Sequence, residues 1–291
     1  MPLIAILAAT LVSFCWGANF SASKLAVQYL PPYLTIFIRF VGLSLLLLPF
    51  IRRYGWPNWK EMGLLSLFYI TLHFAMFFAA MRMGLSVSST IVASQLGVPF
   101  SCLLASIFFK DFLGPWRSFG LILAFFGVVV VAGAPDVEEH SLAFLVALIG
   151  AFGWAAANIH MKRMRETAVI PMLFWPGLLA LPQMLVLSLI FEHDQLALIA
   201  AAPLELWLAI AYSILFSSMI GYGLWTWLLS RYEVTQVVPY SLLIPVFGIS
   251  SGMILFGETL TPPLILGAVL TVVGVAIITL RRPKLAALDQ G

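Results

Sequence analysis

Polar side chains inside long apolar runs are the residues of this sequence best suited to chemistry. Arg39, His73 and Gln95 each lie in such a run, where an ionisable or hydrogen-bonding group is costly and therefore indicates a functional site. The guanidinium of Arg39 can bind a carboxylate, although it can equally tie helix ends together or extend towards water. The imidazole of His73 can exchange a proton in a water-filled cavity, or it can bond to a neighbouring helix. All three residues are predicted to bind a polar solute.

Two further groups pair a tryptophan with an asparagine. Trp154 and Asn158 are four residues apart and share one side of a helix, and Trp16 and Asn19 repeat the pattern less regularly. An asparagine can bond both the ammonium and the carboxylate of an amino acid, and an indole face can cover a cation. The alternative is helix packing. A lysine follows each pair where a helix would end, and we interpret both lysines as membrane-interface anchors.

Prolines interrupt the apolar runs beside neutral hydrogen-bonding groups. Gln95 precedes the first proline, and Tyr240 and Ser241 stand between the other two. Because proline has no amide proton, it frees a carbonyl and bends a helix, and interrupted helices flank binding sites in many transporters. We expect these prolines to act in helix breaking or gating: Pro99, Pro239 and Pro245. An aromatic lining or a packing stripe would be formed by Tyr222, Trp225 and Trp227.

The groupings that most enzymes need are absent from the sequence. Its 12 acidic residues fall in connections, tails or the ends of apolar runs, and its four histidines are dispersed. We find no nucleophile–base pair, no metal-ligand cluster and no phosphate-binding loop, and we predict neither a metal nor a cofactor. Proton coupling through a midplane carboxylate is not expected. Cys15 and Cys102 are interpreted as small buried hydrophobic side chains.

The elements that position these residues follow from the composition. The apolar fraction is 62% and the charged fraction is 9%, whereas soluble domains carry about 25% charged residues. Apolar runs of about 20 residues recur along the chain, which is the length that a helix needs to cross the bilayer. We predict an all-α polytopic membrane protein with ten transmembrane helices, at 3–23, 34–51, 61–81, 87–109, 117–135, 141–161, 171–191, 205–229, 236–256 and 262–281.

Charge placement predicts the orientation in the membrane. Most of the 15 basic residues fall in the connections after even-numbered spans and in the C-terminal tail, and this placement explains the net charge of +3 without nucleic-acid binding. By the positive-inside rule both termini are cytoplasmic. The first span lacks the basic start of a secretory signal peptide and is interpreted as a retained helix. We therefore expect a multi-pass protein of the bacterial cytoplasmic (inner) membrane.

An internal repeat divides the chain into 1–136 and 137–291. The matching residues at its start are Phe14, Trp16 and Lys24 with Phe152, Trp154 and Lys162; those at its end are Asp111, Leu113, Gly120 and Gly127 with Glu258, Leu260, Gly267 and Gly274. Since each half has five predicted spans, the second half enters the membrane in the opposite orientation. Inverted repeats are typical of secondary transporters that work by alternating access. Gly248 and Gly252 form a GxxxG pattern that could support packing or a homodimer.

Several motifs resemble a known family, the EamA-type members of the drug/metabolite transporter superfamily. The resemblance covers nearly the whole chain and is carried by Trp16-Gly-Ala-Asn-Phe20, Pro31-Pro32, Arg39-Phe40, Pro245-Val246 and Gly257-Glu-Thr-Leu260. Within the family, the chain is most similar to the O-acetylserine/cysteine exporter branch, through Gly150–Asn158, Gly221-Tyr-Gly-Leu-Trp225, Arg231-Tyr-Glu233 and Val238–Val246. It departs from that branch at His73 and His160. The resemblance implies two five-helix repeats and export of amino acids or other small metabolites.

These observations together predict a secondary transporter, most simply an exporter, whose partners are a small-molecule substrate and the lipid bilayer. Cysteine-like or O-acetylserine-like amino acids are the first candidate cargo. Drug-like cations and nucleobases are the alternative cargo, and an integral membrane enzyme is the alternative from another functional class.

Overall fold

The computed structural model describes residues 1–109, 114–164, 167–232 and 234–280, and this part of the chain is helical without any strand. We label its ten apolar segments α1 to α10 in chain order. They are Leu3–Tyr29, Pro32–Ile51, Trp59–Arg82, Val87–Phe108, Pro115–Ala132, Ser141–Arg163, Val169–Phe191, Leu204–Leu228, Tyr240–Phe256 and Pro262–Leu280. Short helices occupy parts of the connections, at Pro135–Glu139, Gln195–Ala200 and Val234–Val237.

Nine of these described segments are long and apolar enough to cross a membrane, and α9 is a shorter apolar helix. Many large apolar side chains on them are exposed, as expected where a helix faces lipid. The prediction of an all-α, multi-pass membrane protein is therefore confirmed, while the count of ten membrane crossings stays a prediction.

The boundaries differ from the predicted ones by more than three residues at two segments. The first helix was expected to end near residue 23 but continues to Tyr29, because Lys24 donates hydrogen bonds to the carbonyls of Met81 (2.7 Å) and Leu85 (2.8 Å). The ninth segment was expected as one helix over 236–256. It instead contains tight 3₁₀ turns at Val238–Leu242 before the α-helix begins.

Several residues that the sequence singled out lie outside the described part of the chain: Lys110, Asp111, Leu113, Arg165, Glu233 and 281–291. For Lys162 and Pro239 only the backbone is described.

Contacts between the ends of the helices define two faces of the bundle. The acidic face holds the connections after the odd-numbered segments, with Asp136, Glu192 and Glu258. There the Glu192 carboxylate accepts hydrogen bonds from the amides of Tyr33 (2.7 Å) and Leu34 (3.0 Å) at the start of α2. The basic face holds the connections after the even-numbered segments.

Glu258 makes the same kind of contact at the start of α4. Its carboxylate accepts from the amides of Val87 (2.5 Å) and Ser88 (2.9 Å) and from the Ser88 hydroxyl (2.6 Å). Amides in the first turn of a helix have no partner within the helix, and an anion there is favoured by the helix dipole. Both carboxylates therefore tie a connection in the second half of the chain to a helix start in the first half.

Segments α5 and α10 pack with their backbones in contact. A Cβ atom at Gly120 would lie 2.7 Å from the carbonyl oxygen of Gly274, and one at Gly127 would lie 2.7 Å from that of Gly267. Only glycine permits this approach, which is typical of helix pairs in lipid. Gly120 and Gly127 are the predicted repeat counterparts of Gly267 and Gly274, respectively. Gly120 therefore faces the counterpart of Gly127, and Gly127 faces the counterpart of Gly120.

The remaining contacts between segments follow the same pairing. Segment α1 packs on α8 and α9. Segment α6, the repeat counterpart of α1, packs on α3 and α4, which are the counterparts of α8 and α9. Segment α2 packs on α7 in the same way that α5 packs on α10. Gly248 and Gly252 are used within the chain, since Cβ atoms there would meet the Gly17 carbonyl (3.2 Å) and the Glu258 carboxylate (2.7 Å).

Widened turns interrupt α3 and α8 at corresponding places. Residues Ser66–Phe74 and Ser213–Gly221 form π-helical turns, in which the hydrogen bonds join residues five apart. Such turns are frequent at functional sites. Both lie near the middle of their segments. The turns at Ser66–Phe74 pack on α6, and those at Ser213–Gly221 pack on α1.

Candidate functional site

An aromatic cluster occupies the centre of the bundle, and we call it the central cluster. Its first part lies between α1 and α8, where the Trp16 ring lies 5.2 Å from the Tyr222 ring and 5.3 Å from the Trp225 ring. The Trp16 indole N–H donates to the Ser217 carbonyl at 3.0 Å. A Cβ atom at Gly221 would lie 2.5 Å from the Trp16 Nε1, so a glycine is needed where the indole approaches α8.

The second part of the central cluster lies between α3 and α6. The Trp154 ring lies 5.1 Å from the His73 ring and 5.7 Å from the Tyr69 ring. Gly97 on α4 makes room for this indole, since a Cβ atom there would lie 2.6 Å from its Cδ1. The hydroxyls of Tyr69 and Tyr222 share a hydrogen bond, which joins the two parts and closes the centre.

His73 bonds to a neighbouring helix, which was one of its two interpretations. Its Nδ1 lies 3.1 Å from the Gly150 carbonyl oxygen on α6, and because a carbonyl only accepts, Nδ1 carries the proton. Segment α6 comes this close because Gly150 and Gly153 lack side chains; a Cβ atom at Gly153 would lie 2.8 Å from the Leu72 carbonyl carbon. The imidazole also borders Trp154, so it combines packing with a place in the central cluster.

Arg39 is the most unusual group at this depth. Its side chain is 2% exposed, its Nη2 donates to the Ser218 hydroxyl at 3.3 Å, and its Cζ lies 4.6 Å from the centre of the Phe74 ring. Within the described residues its Nε and Nη1 are buried and have no hydrogen-bond partner. A buried guanidinium that lacks an anion is costly, so this position favours an anionic ligand.

Pro99 and Pro245 stand just after interruptions in α4 and α9. Pro99 has no amide proton to bond the carbonyl of Gln95 four residues earlier, and the Leu96 amide turns to the Ala93 carbonyl at 3.1 Å. Pro245 stands at the same distance from Ser241, beside the 3₁₀ turns of α9. No described contact joins the Gln95 side chain to the central cluster.

No described hydrogen bond or ring contact joins three other predicted site residues to the central cluster. Asn19 is buried on α1, and within the described residues its Oδ1 has no partner. The Asn158 amide donates to the Ser101 hydroxyl at 3.4 Å and borders a cavity of about 310 Å³ between α4, α5 and α6. The Tyr240 carbonyl accepts from the Ser13 hydroxyl at 2.7 Å.

Two further residues had sequence-based interpretations. Trp227 was expected either to line the site with Tyr222 or to pack between helices, and its ring lies 6.3 Å from the Tyr232 ring and 5.2 Å from the Arg231 guanidinium carbon. Cys102 was interpreted as a buried hydrophobic side chain. It is partly exposed in the 310 Å³ cavity, and its sulfur accepts from Arg117 at 3.6 Å, because α5 starts beside α4 there. Cys15 is buried as expected.

A second cavity, of about 410 Å³, opens at the basic face. It is bordered by Trp56 and Trp175, whose rings lie 5.8 Å apart, and the nearby Trp59 ring lies 5.9 Å from the first and 5.2 Å from the second. Tryptophan is enriched at the membrane–water interface, so this group indicates the depth at which the bundle meets water.

Sequence reasoning missed Tyr69, Ser217 and Ser218. Tyr69 lies one helical turn before His73, so the helical spacing alone could have found it. The two serines belong to the widened turn of α8, and nothing in their residue types indicates that turn.

Comparison with known proteins follows the same division of the chain. The sequence pattern of the EamA-like transporter family matches residues 3–133 and again residues 141–280. A "Probable amino-acid metabolite efflux pump" of Salmonella typhimurium is 32% identical over 92% of this chain and 92% of its own length. Its counterpart in Escherichia coli is 31% identical with the same coverage. One crystal structure shares the fold, with a TM-score of 0.64 at 18% identity over 96% of this chain and 98% of that chain.

Proposed function

Because this chain belongs to the EamA-like transporter family, we propose that it is a secondary transporter that exports small metabolites bearing a carboxylate. Amino acids and their derivatives, such as cysteine and O-acetylserine, are the proposed cargo class. The names of the relatives from Salmonella typhimurium and Escherichia coli support an amino-acid metabolite as cargo. The protein acts in the bacterial inner membrane, with ten membrane crossings and both termini in the cytoplasm.

The observation that carries this proposal is the buried guanidinium of Arg39, two of whose nitrogens have no hydrogen-bond partner within the described residues. These two donors, Nε and Nη1, lie on different edges of the guanidinium, so a carboxylate would reach either one together with the second N–H of Nη2, in the two-bond geometry in which guanidinium and carboxylate fit each other. The negative charge of the ligand would balance the positive charge of Arg39 inside the membrane. The neighbouring Tyr69 and Tyr222 hydroxyls supply further hydrogen bonds once their mutual bond opens.

The aromatic rings of the central cluster would receive the other end of the ligand. An ammonium group is attracted to the faces of Trp16 and Trp154, and apolar substituents are tolerated by the same rings. A site built from one cation and several rings therefore favours small zwitterions over free organic cations, which the Arg39 charge repels.

Alternating access follows from the packing of two halves, residues 1–136 and 137–291. The matched contacts of α1 with α8 and α9, and of α6 with α3 and α4, support two arrangements of nearly equal energy. In one arrangement the site faces the cytoplasm, and in the other it faces outward. The carboxylates of Glu192 and Glu258 hold the acidic face closed, and opening that face breaks their bonds to the starts of α2 and α4.

Counterflow in proteoliposomes tests the proposal. Vesicles are loaded with unlabelled cysteine, O-acetylserine or cysteamine, and the uptake of labelled cysteine is followed with and without a pH gradient. We expect uptake to be stimulated by the two carboxylate-bearing compounds and not by cysteamine, which keeps the thiol and the ammonium but lacks the carboxylate. Equal stimulation by cysteamine, or uptake only with nucleobases or cationic drugs, would contradict the proposed cargo class. Protein-free vesicles are the control.

A further inference from the structure

The open cavity of about 310 Å³ between α4, α5 and α6 carries polar and charged side chains within a mainly apolar lining. Ser101 and Cys102 border it from α4, Arg117 from the start of α5, and Asn158 from the second half of α6. Arg117 donates to the Cys102 sulfur at 3.6 Å, and Asn158 donates to the Ser101 hydroxyl at 3.4 Å. A group of this kind is costly in lipid, so it is expected where water or a polar solute enters.

The position of the cavity places it between the basic face and the central cluster. Asn158 follows Trp154 by one helical turn, and Val98 on the cavity wall follows Gly97, on which the Trp154 indole rests. The Trp154 ring, which belongs to the central cluster, is therefore attached to the same stretches of α4 and α6 as the cavity wall. Further towards the basic face along α4 and α6, the Arg163 guanidinium lies 5.5 Å from the centre of the Phe108 ring.

We propose that this cavity is the vestibule through which an anionic or zwitterionic substrate enters from the basic face, with Arg117 as the residue that attracts its carboxylate and Trp154 as the inner gate. This inference rests on the proposed function, since it assigns the route to the site at Arg39. The broken helix of α4 supplies the movement: at Pro99 the segment can bend without losing a backbone hydrogen bond, which shifts the wall on which Trp154 rests.

The native thiol of Cys102 makes the vestibule measurable without an added label. The chain has two cysteines, and Cys15 is 1% exposed, so a Cys15→Ser background leaves Cys102 as the only thiol. Methanethiosulfonate reagents react with a hydrated thiolate, which displaces methanesulfinate and forms a mixed disulfide. Two reagents of similar size are used, one with an ethylsulfonate group and one with an ethyltrimethylammonium group.

The purified protein should react with both reagents, and the anionic reagent should react faster. In the Arg117→Gln variant, the ratio of anionic to cationic rates should fall by about tenfold, because one nearby charge is removed from a partly screened site. The matched Arg117→Lys variant keeps the charge and should keep the ratio. Elution as a single species in size-exclusion chromatography shows that each variant is folded.

Transport is measured on the modified protein. Complete reaction of Cys102 with the anionic reagent should reduce counterflow at least fivefold, and reduction of the disulfide by dithiothreitol should restore it. The proposed vestibule is refuted if neither charged reagent reacts with folded protein, if the ratio of anionic to cationic rates is unchanged in the Arg117→Gln variant, or if fully modified protein transports normally. Failure of the proposed function looks different: the unmodified protein would show no counterflow at all.

Discussion

Replacing Arg39 by glutamine separates a ligand-binding role from a structural one. The side chain has a single described hydrogen bond, to Ser218, and the Ser218 hydroxyl keeps its own bond to the Ser213 carbonyl at 3.0 Å when the guanidinium is removed. The substitution therefore leaves no orphaned partner at Ser218. It removes two donors that have no partner within the described residues.

The expected magnitude follows from the bonds that a carboxylate would make. A hydrogen bond to a charged group contributes about 1.5–3 kcal/mol, so the loss of even one of the two bonds should lower the affinity for a carboxylate-bearing substrate by about tenfold to a hundredfold. Cysteamine, which has no carboxylate, should lose less than about threefold because it makes neither bond. Arg39→Lys keeps the charge without the planar pair of donors, so its loss should be intermediate.

Stability gives an independent reading of the same variant. An uncompensated buried charge opposes folding, so the substrate-free Arg39→Gln protein should unfold at the same or a higher temperature than the unmodified chain. Half-saturation of counterflow by cysteine, competition by cysteamine, and thermal unfolding in detergent are measured for the unmodified protein and both variants. The reasoning is refuted if cysteine and cysteamine lose affinity equally, or if Arg39→Gln lowers the unfolding temperature by several degrees.

Three further predictions concern the elements that support the site. Gly17→Ala should destabilise the protein by about 1–3 kcal/mol, because its Cβ would lie 2.8 Å from the Ile244 carbonyl oxygen on α9. The matched control Gly63→Ala, whose Cβ would have no atom within 4 Å, should not destabilise it. Equal unfolding temperatures of the two variants would contradict this packing. Glu258→Gln should cost about 1–3 kcal/mol at the start of α4, measured by chemical unfolding; an unchanged midpoint would show that the carboxylate is dispensable. Pro99→Ala gives the Gln95 carbonyl an amide donor again, so α4 should stiffen and counterflow should slow severalfold without loss of stability, whereas normal rates would exclude bending there.

The helical segments could be read from the sequence because lipid allows few solutions. A run of about 20 apolar residues must satisfy its own backbone, so composition and length were sufficient for most segments. The errors arose where a distant residue changed the local outcome. The charge of Lys24 is accommodated within α1 because two carbonyls more than 50 residues away accept hydrogen bonds from its ammonium.

The site could be predicted only in part, for the same reason. Trp16, Trp154, His73 and Arg39 were identified because polar and amphipathic groups are rare inside spans, and the structure brings them near one another. The structural roles of Glu192 and Glu258 were missed, since each bonds amides about 160–170 residues away in sequence. The π-helical turns were missed because they are set by tertiary packing and have no residue signature.

The glycine contact between α5 and α10 links the mutational histories of two distant stretches of the gene. Gly127 faces Gly267 and the Thr271 backbone, and a methyl group added at Gly127 would lie only 2.6 Å from the Thr271 amide nitrogen. A larger residue at Gly127 would therefore meet Gly267, the repeat counterpart of Gly120, and a larger residue at Gly120 would meet Gly274, the counterpart of Gly127. The sequences of two duplicated halves can usually change independently. Here a substitution on α5 is constrained by the surface of α10, and a substitution on α10 by the surface of α5. Along this seam the repeats can diverge only together.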